Sequence, residues 1–231
     1  MRKITIAIDG HSSTGKSTVA RQLASYLDYL YVDSGAMYRA ITLFAIREGL
    51  FSEDTFEQKK LIELLSGIKL GFKHNAESGK AHIYLNEIDV EREIRSLEVS
   101  QFVSKVAEVS EVRKKLVELQ QELGKGKGVV MDGRDIGTVV FPDAELKIFL
   151  TADAEERAKR RYLEYKNRGE DISLESVFQN VVERDHIDTT REDSPLIKAK
   201  DAIEIDNTFT NEEDQFHIIL QLAKDRIAGR V

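Results

Sequence analysis

Cysteine is absent from all 231 residues, which excludes disulfides, thiolate nucleophiles and cysteine-ligated zinc. Such a chain suits a reducing compartment, and a cytoplasmic location is the expectation. Long apolar runs are missing as well. The opening MRKITIAIDG holds an apolar stretch of only about five residues, too short for a secretory signal core. No segment approaches the roughly 18 apolar residues of a membrane helix, so no membrane partner is expected. Proline stands only at 142 and 195, both in loop contexts. A basic excess is also lacking: the net charge of −7 argues against the broad positive surface that nucleic-acid binding uses. An acidic chain can still bind an anion where its arginines converge. What remains is ordinary for a soluble globular protein, with 41% hydrophobic and 32% charged residues. The length fits one large domain or a core with insertions.

Residues 3–8 are apolar on both faces, as in a buried parallel strand. A helix is expected from Lys16, with Val19, Ala20, Leu23, Ala24 and Leu27 along one side. A short strand at Leu30–Val32 and a helix over Ala36–Gly49 follow, an alternation that implies crossover units and a doubly wound sheet. Between Gly67 and Asp89 the period changes to two: Ile68, Leu70 and Phe72, then the turn NAESGK, then Ile83 and Leu85. That pattern predicts a hairpin, with Ile88–Val90 as a third antiparallel strand. Helices are expected near 96–107 and 111–123, the second stopped by Gly124. The α/β rhythm then resumes with strands at Val129–Asp132, Leu146–Leu150 and Ile203–Ile205. Helices are expected near 154–167 and 173–187, separated by NRGED, with a closing helix over 212–228.

The stretch GHSSTGKS, from Gly10 to Ser17, matches the phosphate-binding pattern G-x-x-x-x-G-K-[ST] between a strand and a helix. Gly10 and Gly15 permit backbone turns that expose successive N–H groups across His11, Ser12, Ser13 and Thr14. Lys16 supplies a point charge for the β- and γ-phosphates, Ser17 a hydroxyl for Mg²⁺, and the helix beginning at Ser17 and Thr18 its N-terminal dipole. His11 is expected to face solvent. No N-K-x-D guanine-reading element occurs. Instead, arginines recur at positions 39, 113, 134, 157, 160, 161, 184 and 191. Arg39 and Arg134 follow the carboxyl ends of expected parallel strands, the edge where open α/β sheets bind ligands. Transfer between two phosphates needs such a cluster to align two polyanions and cancel their repulsion. Its nucleophile, a phosphate oxygen, is already ionised and needs no general base. In ERDHIDTTR, Arg184, Asp188 and Arg191 share one helix face. An ion-pair ladder and a face that binds sugar and anion both fit that spacing. The Arg157, Arg160 and Arg161 helix fits either a solvated surface or a lid closing over ATP.

Together DGHSSTGKST, DSGAMYRA, VMDGRDIGTVVFPDA, KIFLTA and ERDHIDTTREDSPL resemble the bacterial cytidylate kinase family over nearly the whole chain. The resemblance implies a three-layer α/β P-loop kinase core with a central parallel sheet, over 1–66 and 127–231. It also implies an inserted antiparallel-sheet NMP-binding domain over 67–126 and a helical lid at about 155–192. The implied reaction passes the γ-phosphoryl group of ATP to CMP or dCMP with Mg²⁺, in a monomer. Ser34, Tyr38 and Arg39 would line the CMP site, with Ser104, Arg113 and Asp135 reading the base. Arg184 and Asp188 would hold the sugar, and Arg191 would complete the pocket. Asp132 would stand near the Mg²⁺ shell with Ser17, through water, and Arg134 would bridge the phosphates. Arg157, Arg160 and Arg161 would approach ATP, with Lys16, Arg39, Arg134, Arg157 and Arg161 acting in catalysis. His11 stands where such loops usually carry proline. The rivals are a UMP/CMP or other small-metabolite kinase and a nucleotide-switched binding protein.

Overall fold

The computed structural model describes residues 2–52, 55–75 and 80–230. In chain order the first half holds β1 (Thr5–Gly10), α1 (Lys16–Leu27), β2 (Leu30–Asp33), α2 (Ser34–Arg47) and α3 (Gln58–Leu64). Then come β3 (Leu70–Asn75), β4 (Lys80–Leu85), β5 (Ile88–Asp89), α4 (Leu97–Ala107) and α5 (Ser110–Gly124). The second half holds β6 (Val129–Gly133), a π-helical turn over Ile136–Val140, β7 (Leu146–Thr151) and α6 (Ala154–Asn167). It closes with α7 (Leu174–Thr190), β8 (Ile203–Asp206) and α8 (Glu212–Ile227). Two compact units are formed, one by Met1–Asp33 with Leu119–Val231, the other by Ser34–Glu118.

In the first unit a five-stranded sheet runs in the order β2-β6-β1-β7-β8, and every neighbouring pair is parallel. The strand TIAIDG is buried at every position, which explains its unbroken apolar run: a central parallel strand is covered on both faces. Ile4, Ile6 and Ile8 pack with Val19, Ala20, Leu23 and Ala24 of α1, with Ile148 and Leu150 of β7, and with Ile219, Leu220 and Ala223 of α8. Each fully buried Ile or Leu contributes roughly 1.5–3 kcal/mol relative to exposure. Register then decides what lies at the edge. Asp9 stands beside Gly133 and Phe149, and Asp33 beside Asp132, so the carboxyl ends of β1, β2 and β6 finish level.

In the second unit β3, β4 and β5 form an antiparallel sheet, with Leu70 opposite Leu85 and Phe72 opposite Ile83. The hairpin expected from the two-residue period is therefore present; residues 76–79 of its turn lie outside the described residues. Phe51 stacks on both Phe56 and Phe102, at ring separations of 4.6 and 4.2 Å. Ser96 caps α4 by accepting from the Val99 N–H, as Ser173 and Asn211 cap α7 and α8.

Three features depart from the sequence reading. α3 was not expected; its only buried residue is Leu61, too little to create an apolar period. The π-helical turn was also missed, because IGTVV is rich in β-branched residues that favour strands. Gly124 does not end α5 through a left-handed conformation: it is the last helical residue, and its φ is not positive. Glycine is required there by packing instead, since a Cβ would lie 2.2 Å from the Phe141 ring. We therefore expect Gly124→Ala to destabilise the protein by about 1–3 kcal/mol, read as a lower urea midpoint. An unchanged midpoint would show that the Phe141 ring swings away freely.

Candidate active site

The phosphate loop is shaped by its neighbours in the sheet. At Gly10 φ is 144°, and a Cβ would meet the Leu150 carbonyl oxygen at 2.1 Å, so β7 passes too close for any side chain. Gly15 caps α1 in the left-handed region. Lys16 is buried; its ammonium donates to the His11 carbonyl and, at 3.2 Å, to Thr14 Oγ1. Burial first, and then the Arg134 charge, pull the Lys16 pKa well below that of an ordinary lysine, against Asp132, Asp9 and Asp188. From the other side, Asn207 Nδ2 donates to the Thr14 carbonyl and, at 2.9 Å, to Gln215 Oε1.

The residues after β6 are joined to this loop. The Asp9 carboxylate accepts from the backbone N–H groups of Ile136 and Gly137, at 2.8 and 2.7 Å, and so bends the chain into the π-helical turn. Burial raises its pKa to about 7, a little further with Asp135 nearby, despite those two hydrogen bonds and Lys16. Asp132 accepts from Ser17 Oγ at 2.8 Å and from the Tyr31 hydroxyl at 2.9 Å. Burial and the neighbouring Asp33 raise Asp132 to about 6. Asp135 is buried too.

The arginines of this unit divide by partner. Arg134 Nε donates to Asp188 Oδ2 at 2.9 Å, and Arg191 Nη1 lies 3.6 Å from Asp188 Oδ1. Arg191 also donates twice to the Ser194 carbonyl, at 2.9 and 2.7 Å. Burial disfavours the Asp188 carboxylate, yet Arg134, Arg184 and Arg191 together hold its pKa below the usual value. α7 runs on to Thr190 with Arg191 as its C-cap, so Arg184 and Asp188 share the helix face the spacing implied. Arg184 is pulled down to about 9, first by burial and then by Arg161. Arg161 reaches Ser13 Oγ at 3.4 Å and the Tyr165 hydroxyl at 3.2 Å.

One residue stands differently from expectation. His11 is not a solvent-facing residue: it is half-buried, with Nδ1 3.2 Å from the Asp185 carboxylate, because α7 brings that carboxylate against the loop. Arg160 donates to Asn207 Oδ1 at 3.2 Å and to the carbonyls of Asn207 and Thr208 at 2.9 and 3.1 Å, which engages its guanidinium with the segment after β8.

Within the second unit, Ser34, Tyr38 and Arg39 lie on α2, Ser104 on α4 and Arg113 on α5. Ser34, Tyr38, Ser104 and Arg113 are all buried. The Arg113 guanidinium sits 5.5 Å from the centre of the Tyr38 ring and donates to the Ala107 carbonyl at 3.0 Å. Arg39 donates to the Ile94 carbonyl at 3.3 Å.

A family model described as cytidylate kinase matches residues 6–225. The chain belongs to the cytidylate kinase family. A cytidylate kinase of Flavobacterium johnsoniae is 62% identical over 97% of this chain and 98% of its own length. One from Bacteroides fragilis is 54% identical over 90% and 91%. A solved structure of an uncharacterized protein from Eubacterium ventriosum aligns with TM-score 0.50 at 12% identity, over 97% of this chain and 99% of that one. That last likeness concerns the fold alone.

For a cytidylate kinase the donor set suits Mg²⁺: a serine hydroxyl and a carboxylate are hard oxygen ligands, joined at 2.8 Å as Ser17 and Asp132. No group of three or more His, Cys, Asp or Glu that could hold a metal ion exists among the described residues. No helix among the described residues is long and apolar enough to cross a membrane. Sequence reasoning missed Asp9, Asp185 and Asn207. Asp9 stands near the end of its strand in IAIDG and Asn207 just after its strand in IEIDN, a positional signal that was available; Asp185 carried none beyond its place beside Arg184.

A pH test follows for Asp9. Its carboxyl titrates near 3.8 unfolded and near 7 folded, so the folded state binds the proton more tightly. This group's stabilising contribution is full below about pH 4 and is lost as pH rises through about 7. Asparagine does not titrate. The stability advantage of the natural protein over Asp9→Asn should therefore shrink from pH 4 to pH 7, by an amount on the order of a few kcal/mol. Urea titrations across that range check it, and an advantage that grows with pH would mean that the charged form is the favoured one.

Proposed function

We propose that this chain transfers the γ-phosphoryl group of ATP to CMP or dCMP, giving ADP and CDP or dCDP. A CMP phosphate oxygen, already ionised, attacks the γ-phosphorus in line. The bond from that phosphorus to the β,γ-bridging oxygen breaks, and its electron pair leaves with ADP. Residues 10–18 hold ATP, with Lys16 on its terminal phosphates and Arg157, Arg160 and Arg161 contributed by a lid over about 155–192. Arg39, Arg134 and Arg191 take the CMP phosphate, and Arg134 spans both nucleotides. Arg184 and Asp188 take the sugar. Ser34, Tyr38, Ser104, Arg113 and Asp135 take the base, with residues 67–126 as the NMP-binding insertion. Bound Mg²⁺, held by Ser17 and through water by Asp132, would offset phosphate charge. The enzyme would act in the cytoplasm as a monomer.

What supports this reading most is the crowding of buried cations. Lys16 and Arg184 are each pulled below their ordinary pKa by burial and by a neighbouring arginine. Asp132, Asp9 and Asp188 offset part of that charge at Lys16, and Asp188 at Arg184. A polyanion brought there is stabilised by every one of these groups without reorganising them. Cytosine presents an N4 amino donor beside the N3 and O2 acceptors, which a carboxylate and a guanidinium match; uracil reverses the donor at position 4.

The test is ADP formation from ATP and Mg²⁺ with CMP, dCMP, UMP or AMP as acceptor. CMP or dCMP should raise the rate far above the acceptor-free rate, and equal rates would remove the transfer reading. Asp135→Asn should raise KM for CMP roughly 10–100-fold through a mispaired buried group, with KM for ATP unchanged. Equal shifts in both would remove base recognition from Asp135.

A further inference from the structure

His11 and Asp185 are joined by a contact that no role assigned so far uses. Asp185 lies on α7 with its side chain 18% exposed, and its carboxylate is shared. Arg157 clasps it as a fork, Nη1 to Oδ1 at 3.0 Å and Nη2 to Oδ2 at 2.5 Å. His11 Nδ1 stands 3.2 Å from the same Oδ1. Arg157 is also anchored elsewhere: Nε donates to the Ala152 carbonyl at 2.8 Å, and Nη1 reaches the Ser12 carbonyl at 3.4 Å. One carboxylate thus connects the phosphate loop, α6 and α7. The loop needs such a tie, because its conformation is costly. Ser13 takes a φ of 58° without being glycine, a conformation that persists only where surroundings enforce it.

We propose that Asp185 is a positioning residue for the ATP side of the reaction: through His11 and Arg157 it holds the phosphate loop in its binding conformation before nucleotide arrives. The proposal rests on the loop being the ATP site. A preorganised loop lowers the ordering cost of binding, so loosening it weakens ATP while leaving CMP alone. The carboxylate suits the task, since it accepts from two guanidinium nitrogens while the imidazole Nδ1 stands 3.2 Å away. Asparagine at 185 keeps the shape but turns a donor toward one of these donors.

The experiment measures ADP affinity by calorimetry, without any acceptor, together with KM for ATP and for CMP. Asp185→Asn should weaken ADP and raise KM for ATP by about tenfold, with KM for CMP unchanged within about twofold. His11→Ala should cost about threefold in the same two quantities, and His11→Asn, whose amide still donates to Asp185, should recover most of that. The double variant should bind ADP no worse than Asp185→Asn alone, because both remove one brace. Multiplying losses, or KM for CMP moving as much as KM for ATP, would overturn the proposal. So would His11→Ala and His11→Asn that bind ADP equally. Should Asp185→Asn fail to fold, the two His11 variants carry the test alone. If the natural protein binds ADP but does not phosphorylate CMP, the transfer reading fails while the brace is still decided by ADP affinity.

Discussion

The carboxyl edge of the parallel sheet is arranged around charge held below the surface, with Asp9, Asp33, Asp132, Asp135 and Asp188 buried beside Lys16, Arg161 and Arg184. Lys16, Arg134, Arg161 and Arg184 are drawn together below the surface, where water cannot screen them. Asp9, Asp132 and Asp188 act on Lys16, and Asp132, Asp185 and Asp188 on Arg134; Asp188 is shared with Arg184 and Arg191 as well. The carboxylate keeps its charge because three arginines outweigh the cost of its burial. Arg184 is nonetheless pulled below its ordinary value, by burial and then by Arg161. This imbalance between neighbouring arginines costs folding stability.

The sheet makes the imbalance tolerable by fixing where the charges can go. Parallel pairing of β1 with β6 brings Asp9 level with Gly133, and Asp9 then ties the backbone at 136 and 137 to the start of the phosphate loop. The start of the phosphate loop and the turn that follows Arg134 and Asp135 are thereby tied together. On the other flank, α6 and α7 reach the same loop through Arg157 and Asp185, and β8 reaches it through Asn207. The loop's unusual backbone is therefore held from three directions, each by side chains whose partners lie far away in sequence.

Much of this was legible beforehand. GHSSTGKS lies between a strand and a helix, as its pattern of glycines, lysine and serine requires. The alternation of strands and helices, the hairpin at 70–85 and the shared face of Arg184 and Asp188 followed from periodicity. Three features did not. The π-helical turn contradicts the local preference of IGTVV, and only the Asp9 carboxylate arriving from β1 explains it. Gly124 looked like a helix stop but makes room for Phe141. His11 was read as exposed for want of any sign that Asp185 would meet it.

The linear chain thus determined which groups exist and which local shapes they prefer: the loop, the strands, the arginine-bearing helices and the family to which they belong. Tertiary structure decided how charge is shared among them. Local preference acts over a few residues through sterics and hydrogen bonding. The pairing of Asp9 with the turn after β6, of Arg134 with Asp188 and of His11 with Asp185 instead spans 127, 54 and 174 residues. Contacts of that kind depend on sheet register and helix docking, which no short stretch of the chain encodes.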